Sequence, residues 1–410
     1  MHIKELSVME YTNYELNHAL SSFYQTVNYG ALMAENTHDY DLIGYVDESG
    51  NIYAASMIII KKIGTRCLYG YAPRGFLIDY SNMNLLTNFT EDLKKYYKLK
   101  GVAFIKINPE IAIGEVNNKT FETTYNINRN LVNNLDNAGY NKLKDNLYFE
   151  AMLPRFNAYV KSKDFSLNSL NKNTKNKIKK GIRKGLVFEC VSKDNLDIFY
   201  NFIKNKKERS INYYKDYYTV FDRDNSIKLY LVKIDYNRFL INSRQAYEEE
   251  FERNNHYNEL MIKSNSTKLI NKKMQSDKTL LSYKNDILES TKGVQENKEV
   301  YIAGALVVTH KNKASIVMSG FDQNYKRFAP NYFLHYNIIK EYYTNYDFID
   351  LNGLTGDFTK ENPYSGLNRF KLGFNPKIYE FIGEYDLVID DLTYKMLLRT
   401  GALAKEFNKK

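Results

Sequence analysis

The sequence predicts an α/β (α+β) chain, with two modules of mixed sheet and an antiparallel coiled-coil helical arm inserted into the second. Three patterns predict it. Helical and strand periodicities alternate from the N-terminus to Leu153, and the same alternation begins again after Asp164. Residues Ile241–Lys292 contain neither Gly nor Pro, and charged or amide side chains dominate there. The boundaries that follow are 1–153 for the first module, completed by 376–410, then 154–375 for the second, with the arm at 241–295.

Taken in order, a short helix is expected around Asn17–Ala34, then strands at Tyr40–Asp47 and Asn51–Lys62 joined by the turn Glu48-Ser49-Gly50. A strand at Arg66–Tyr71 precedes an amphipathic helix at Ser81–Leu99 and a buried strand at Val102–Ile107. A helix at Leu131–Ala138 and a strand at Tyr148–Leu153 close the first half. In the second half, Lys172–Lys184 and Asn195–Asn212 read as helices, and Lys228–Ile234, Val300–Thr309 and Ala314–Gly320 as strands. A helix at Asn331–Tyr343 and a strand at Phe348–Leu351 follow. Within the arm, apolar residues recur in one row at Ile270, Met274, Leu281 and Leu288 and in a second at Leu280, Tyr283 and Ile287. Tyr247, Phe251, Tyr257 and Met261 give the facing stripe, and the break falls at Ser264–Thr267, where side-chain bonds compete with helix. Two helices of about 20 residues, each ~30 Å long, with so narrow a seam, should project into solvent.

The longest apolar runs, such as Ala54–Ile60, are strand-sized, far short of the ~20 residues a bilayer crossing needs. Met1–Leu6 is followed by polar residues and not by the apolar core of a leader, so a cytoplasmic protein is expected. Cys67 and Cys190 are the only cysteines, and the six His lack metal-ligand spacing, so neither a disulfide nor a metal site is expected. The net charge of +10 favours an anionic partner, although a Lys-rich composition also serves solubility.

Two stretches carry chemistry. In Tyr71-Ala72-Pro73-Arg74-Gly75, Pro fixes φ and Gly allows a tight turn, so Arg74 sits at a rigid strand end, suited to a carboxylate or phosphate or serving the turn itself. Asp79 ends this turn and is either a general base or a structural carboxylate. The densest basic stretch, Lys172–Lys184, presents Lys175, Lys179, Lys180 and Arg183 among its cations, either as a solvated helix or as phosphate contacts. Lys206, Lys207 and Arg209, followed by Tyr213 and Tyr214, extend the same candidate groove.

A run of motifs in order carries a family resemblance. Tyr71–Asp79 resembles the Y-x-P-R-G-P-x-x-D stretch of the Fem family of peptidoglycan bridge-forming transferases, with Phe76 where Pro is usual. Phe104–Glu110 resembles its F-x-K-I-D-P segment, with Asn108 in place of Asp. Phe23–Thr26 and Gly30–Leu32 resemble F-x-Q-S…W-G-x-L-K, with Met33 where relatives carry a phosphate-binding Lys. Asp347–Gly353, Gly366–Lys371 and Glu380–Leu387 resemble Y-D-x-x-G-I, G-L-Y-x-F-K and E-Y-I-G-E-F-D-L, and Lys172–Lys184 resembles T-R-x-x-I-x-x-A-x-K-x-G with Lys175 in the Arg place.

The resemblance implies two acetyltransferase (GNAT)-like subdomains and an aminoacyltransferase that uses aminoacyl-tRNA as co-substrate, without metal or coenzyme A. The acceptor is then the stem-peptide amine of a peptidoglycan precursor, and the arm favours lipid II over a UDP-linked muropeptide. Peripheral contact with the inner membrane surface and homo- or hetero-dimers are the further partners implied. Phe370 and Lys371 match the pair that relatives place near the tRNA end, where an aromatic face stacks a base and an ammonium meets an oxyanion. Lys175, Lys179, Lys180 and Arg183 are expected on tRNA, and Tyr71, Arg74, Lys106, Arg209 and Tyr213 on the precursor. Lys371 and Asp79 are the expected catalytic residues. Met33 and Asn108 keep open a non-catalytic tRNA- or precursor-binding partner of an active paralogue, and an acyltransferase with another carrier also stays open.

Overall fold

Strand-forming runs of Val, Ile and Tyr pair into two mixed sheets in the computed structural model, which describes residues 1–36, 38–64, 67–205, 209–263 and 266–407. The first sheet has seven strands in the spatial order His2–Glu5, Asp39–Val46, Ile52–Ile63, Cys67–Ala72, Val102–Ile107, Tyr385–Val388 and Tyr140–Lys142. The second has nine, in the order Leu186–Val191, Ile227–Ile234, Val300–His310, Lys313–Phe321, Phe348–Leu354, Phe156–Lys161, Lys377–Phe381, Ala112–Val116 and Thr123–Tyr125. The first five strands of each follow one rule: three antiparallel pairings and then one parallel pairing. A helix makes each parallel crossover, Met83–Leu99 in the first sheet and Pro330–Tyr342 in the second. The α/β class with mixed sheets is therefore present, and the chain lays out the same five-strand unit twice.

The sheets do not divide the chain at 153/154 and 375/376. Ala112–Val116 and Thr123–Tyr125 leave the first half to join the second sheet, and Lys377–Phe381 joins it as well. The chain returns to the first sheet at Tyr140–Lys142 and again after Glu384, where Tyr385–Val388 inserts between that strand and Val102–Ile107. The crossing segments tie the two sheets together, and one apolar cluster spans them, with Phe23 of the first half against Phe221 of the second, ring centroids 6.2 Å apart.

Local chemistry explains where the elements differ from expectation. Of the helix expected over Asn17–Ala34 only the second half is α-helical, as Val27–Glu35, with a 3-10 turn at Phe23–Gln25 before it and a separate helix, Val8–Asn17, upstream. Ser7 opens the upstream helix through a capping box with Glu10, and Thr26 caps Val27–Glu35. The helix expected over Asn195–Asn212 is two, Leu196–Ile203 and Ile211–Asp222, the second capped by Ser210, with Lys206 and Lys207 outside the described residues. Tyr148–Leu153 is not a strand, because side chains claim its backbone: Met152 N donates to Glu384 Oε1 at 2.7 Å and Asn146 N, just before it, to Glu150 Oε1 at 3.1 Å. The strand expected from Arg66 is described from Cys67 onward. Gly50 takes φ +84° in the turn of the first hairpin, as that turn requires.

The arm consists of Tyr236–Lys263 and Thr267–Gln295, with Ser266 capping the second helix and Ser264 and Asn265 outside the described residues. Its seam follows the second apolar row, in which Leu280, Tyr283 and Ile287 alternate with buried Ser276 and Ser290. The first row instead faces outward, with Met274, Leu281 and Leu288 53, 62 and 63% exposed. Polar bonds set this register: Ser276 Oγ donates to Glu250 Oε1 (2.6 Å), and Asn254 Nδ2 donates to Ser276 Oγ (3.0 Å) and Asp277 Oδ1 (2.8 Å). Rotating either helix to bury the first row would leave these buried groups without partners. At the arm's base, buried Lys184 pairs with buried Asp286. Burial pulls that ammonium down to about 8 despite the pairing.

Candidate active site

The site begins at the Pro73-Arg74-Gly75 turn that ends the strand Cys67–Ala72. Arg74 takes φ +55°, a left-handed conformation costly for a side chain with a Cβ. Two amides hold it there. Asn108 Oδ1 accepts from Arg74 N at 2.9 Å, and buried Gln25 donates from Nε2 to Pro73 O at 2.9 Å. Gln25 Oε1 also accepts from Met57 N at 3.1 Å, so this side chain fastens the turn to the sheet beneath. A Cβ at position 75 would lie 2.8 Å from Gln25 Nε2, which explains the glycine. So positioned, the Arg74 guanidinium lies 4.7 Å from the centre of the Phe381 ring and donates from Nη2 to Pro154 O at 2.9 Å.

Arg74 thereby reaches a recess that both halves of the chain line. Ser22, Tyr24 and Glu110 come from the first half of the chain, and Asn157, Tyr159, Lys313, Asp350 and Asn352 from the second. The recess has room for a guest about the size of one water molecule, about 10 Å³. Tyr159 Oη donates to Glu110 Oε1 at 3.1 Å, and Lys313 Nζ donates to the same oxygen. Burial alone would raise its pKa, but the Lys313 and Arg74 cations outweigh burial and hold it below the ordinary carboxylate value. Asp350 ends in the opposite state. Burial, reinforced by the Glu110 charge, pushes it up to about 6, although Lys313 and Lys371 oppose the shift. Asn352 N donates to its Oδ1 at 2.7 Å. Asn157 Oδ1 is buried and lacks a hydrogen-bond partner among the described residues.

Lys371 approaches Asp350 from the helix Ser365–Leu372. Its Nζ donates to Gly353 O, and burial pulls it down to about 7, with Asp350 the opposing charge. Phe370 beside it is half-buried, edge-on to Tyr332 at 4.9 Å and to His335 at 4.8 Å. The basic helix Lys172–Arg183 starts next to this segment, where Asn171 N donates to Gly373 O at 3.4 Å. Lys175 donates to Asn168 O at 3.1 Å, Lys179 is exposed, and Arg183 lies over the Tyr283 ring of the arm at 5.2 Å. Burial together with Lys177 and Arg183 lowers Lys180, the mark of clustered positive charge.

Several expected residues stand elsewhere. Asp79 is exposed and accepts from Ser81 N (2.9 Å) and Ser81 Oγ (2.6 Å), bonds that lower its pKa, so it is a turn carboxylate and not a poised base. Lys106 is buried against Asp386 at 2.8 Å and under the Phe407 ring, a structural ion pair away from the recess. Met33 is a core side chain. Tyr71 is buried behind Arg74, within 3.5 Å of Asn108. Arg209 is exposed and lies over the Tyr213 ring at 4.5 Å, so these two stay together at the edge of the tyrosine cluster that includes Tyr24. Sequence reasoning missed Glu110, Lys313 and Asp350. The first follows the Asn108-Pro109 step, and the last breaks an apolar strand with a carboxylate; Lys313 opens a strand directly after an unremarkable hairpin turn.

Comparison with known proteins now adds to this geometry. Lipid II:glycine glycyltransferase of Staphylococcus epidermidis is 26% identical over 369 residues, covering 86% of this chain and 84% of that protein. The protein of the same name from Staphylococcus aureus is 25% identical over 374 residues, covering 86% and 85%. The crystal structure of FemX matches the fold with a TM-score of 0.72 at 19% identity, covering 97% of this chain and all of that one. The FemAB family model matches residues 6–399, nearly the full length, and the chain belongs to the FemAB family.

Proposed function

We propose that this protein transfers an aminoacyl group from aminoacyl-tRNA to the stem-peptide amine of lipid II, extending an interpeptide bridge, with glycine the group to try first. The observation that carries the reading is the convergence of two charge systems on Asp350: the Arg74–Glu110–Lys313 recess on one side and Lys371 on the other. Acyl transfer between two large substrates needs two approaches that meet at one point. The recess offers carboxylates for an amine and cations for the acidic parts of a precursor. Phe370 with the helix Lys172–Arg183 offers an aromatic face and positive charge for the tRNA end. In this reading the Lys371 ammonium stabilises the oxyanion as the ester carbonyl is attacked. The names of the staphylococcal relatives support the acceptor and the glycine.

The arm supplies a surface for the membrane in which a lipid-linked acceptor resides. Met274, Leu281 and Leu288 form its exposed row, and the outward-facing Lys278, Lys284 and Lys292 share that helix. Apolar anchors with flanking lysines suit an anionic bilayer surface. Among the described residues no helix is long and apolar enough to cross a membrane.

The test is transfer of labelled amino acid by the purified full chain from glycyl-, alanyl- and seryl-tRNA, with lipid II or the UDP-linked muropeptide as acceptor. The reading requires ribonuclease-sensitive labelling of lipid II. Labelling of the UDP-linked precursor alone would move the acceptor to the soluble form, and no labelling with any tRNA would remove the activity.

A further inference from the structure

Resting on the aminoacyl-transfer reading, we propose that the attacking amine enters the Glu110–Asp350 recess as an ammonium ion and that Asp350 is the group that takes its proton. Size is the first argument. The recess has room for a guest about the size of one water, about 10 Å³, which fits a small head such as a primary ammonium. Its lining is the second. Glu110 and Asp350 supply negative charge, and the unpartnered Asn157 Oδ1 supplies a buried acceptor that an N–H donor satisfies.

The third argument separates the two carboxylates. Glu110 already accepts from Tyr159 and Lys313 at one oxygen, and those partners, with Arg74, keep it ionised. Asp350 accepts from the Asn352 backbone and otherwise meets charge at longer range: Glu110, Lys313 and Lys371, with the Tyr24 and Tyr159 hydroxyls close by. Two neighbouring carboxylates whose surroundings drive their proton affinities apart divide the work of fixed charge and proton carrier. Asp350 is the carrier, since its proton affinity sits near working pH. The other candidates fail on position or chemistry: Asp79 is exposed and tied to Ser81, and Asn108 is an amide already spent on Arg74 N.

The ammonium gives one proton to the Asp350 carboxylate, and the freed nitrogen forms a bond to the ester carbonyl carbon, whose oxygen becomes the oxyanion beside Lys371. Collapse breaks the carbon–oxygen bond to the ribose, which takes the second proton from nitrogen and leaves as a hydroxyl. Asp350 then releases its proton to water, so one proton is produced per amide formed.

The experiment measures glycyl transfer from glycyl-tRNA to lipid II between pH 5 and 9 for wild type, Asp350→Asn, Asp350→Glu and Asp79→Asn, with melting midpoints recorded. The proposal expects a wild-type rate that rises with pH along an acid limb. Asp350→Asn should lose about 100-fold or more in kcat, as removal of a general base does, and lose the limb. Asp350→Glu should recover part of the rate with the limb displaced, and Asp79→Asn should match wild type. An Asp350→Asn enzyme within about threefold of wild type, with its limb intact, overturns the proposal while leaving the transfer reading standing. If Asp350→Asn does not fold, an Asp350→Glu limb unmoved from wild type overturns it instead. Absence of transfer by wild type removes both.

Discussion

Lys371 shows how much one buried charge decides. Its ammonium is desolvated, and neither Gly353 O nor the Asp350 charge restores what burial removes, so it is held near 7. An oxyanion-stabilising role needs the protonated form, so transfer should fall as pH rises through about 7, and Lys371→Met should erase that limb. The same shift acts on stability. A lysine whose folded pKa lies below its unfolded value takes up its proton in the unfolded chain first, so stability is lost as pH falls from about 10 towards 7. The melting-point gain of Lys371→Met over wild type should therefore be larger at pH 6 than at pH 10; an equal gain at both would refute the desolvated ammonium. Arg74 depends on geometry instead. Arg74→Lys keeps the charge but loses the planar stacking on Phe381 and the Pro154 bond, and should weaken acceptor affinity about tenfold, roughly 1.4 kcal/mol, as an increase in KM with kcat little changed.

At the scale of elements, the arm trades hydrophobic burial for register. Its seam mixes apolar side chains with Glu250, Asn254 and Ser276, and these polar partners fix which row faces inward. Asn254→Ala should cost about 1–3 kcal/mol of local stability, read as faster amide exchange confined to the arm helices. A uniform rise in exchange through both sheets would contradict an independent hairpin. The outward row has a separate test. Leu281→Asp with Leu288→Asp should reduce binding to phosphatidylglycerol vesicles without changing the melting midpoint, since both side chains are more than 60% exposed. Unchanged vesicle binding would remove the membrane role of this face, and self-association lost in the same variant would assign it to a second copy.

For the whole molecule, the interlocking of the sheets matters most. Segments 112–125 and 377–381 cross to the second sheet, and Lys313 reaches Glu110 across the recess they frame. A side chain at the joint, such as buried Phe221 packed edge-on to Phe23, should cost about 3–5 kcal/mol when cut to Ala. Unfolding followed by two probes, one in each sheet, should shift together. Most of the repeated unit was legible in the sequence because its strands are apolar runs bounded by turn residues, as Val102–Ile107 shows by matching its expected limits, but its edge strands His2–Glu5 and Leu186–Val191 were not. The arm was legible through the absence of Gly and Pro, but not its facing, because two apolar rows compete and polar partners choose between them. The Arg74 turn was legible because Pro73 and Gly75 are local cues, whereas the amides Gln25 and Asn108 that hold it come from distant positions. Glu110, Lys313 and Asp350 were not, since their meaning arises only where distant strands bring like and unlike charges into one recess. Lys106 misled for the same reason: its partner, Asp386, lies far along the chain.

The central claim is that aminoacyl ester and acceptor amine meet between the sheets, at Asp350 and Lys371. Single-turnover transfer of labelled glycine from glycyl-tRNA to lipid II, comparing wild type with Lys371→Met, tests it most directly. The account predicts ribonuclease-sensitive product from wild type, and a rate about 100-fold or more lower in the variant with tRNA binding nearly unchanged. Equal rates in the two proteins would contradict it.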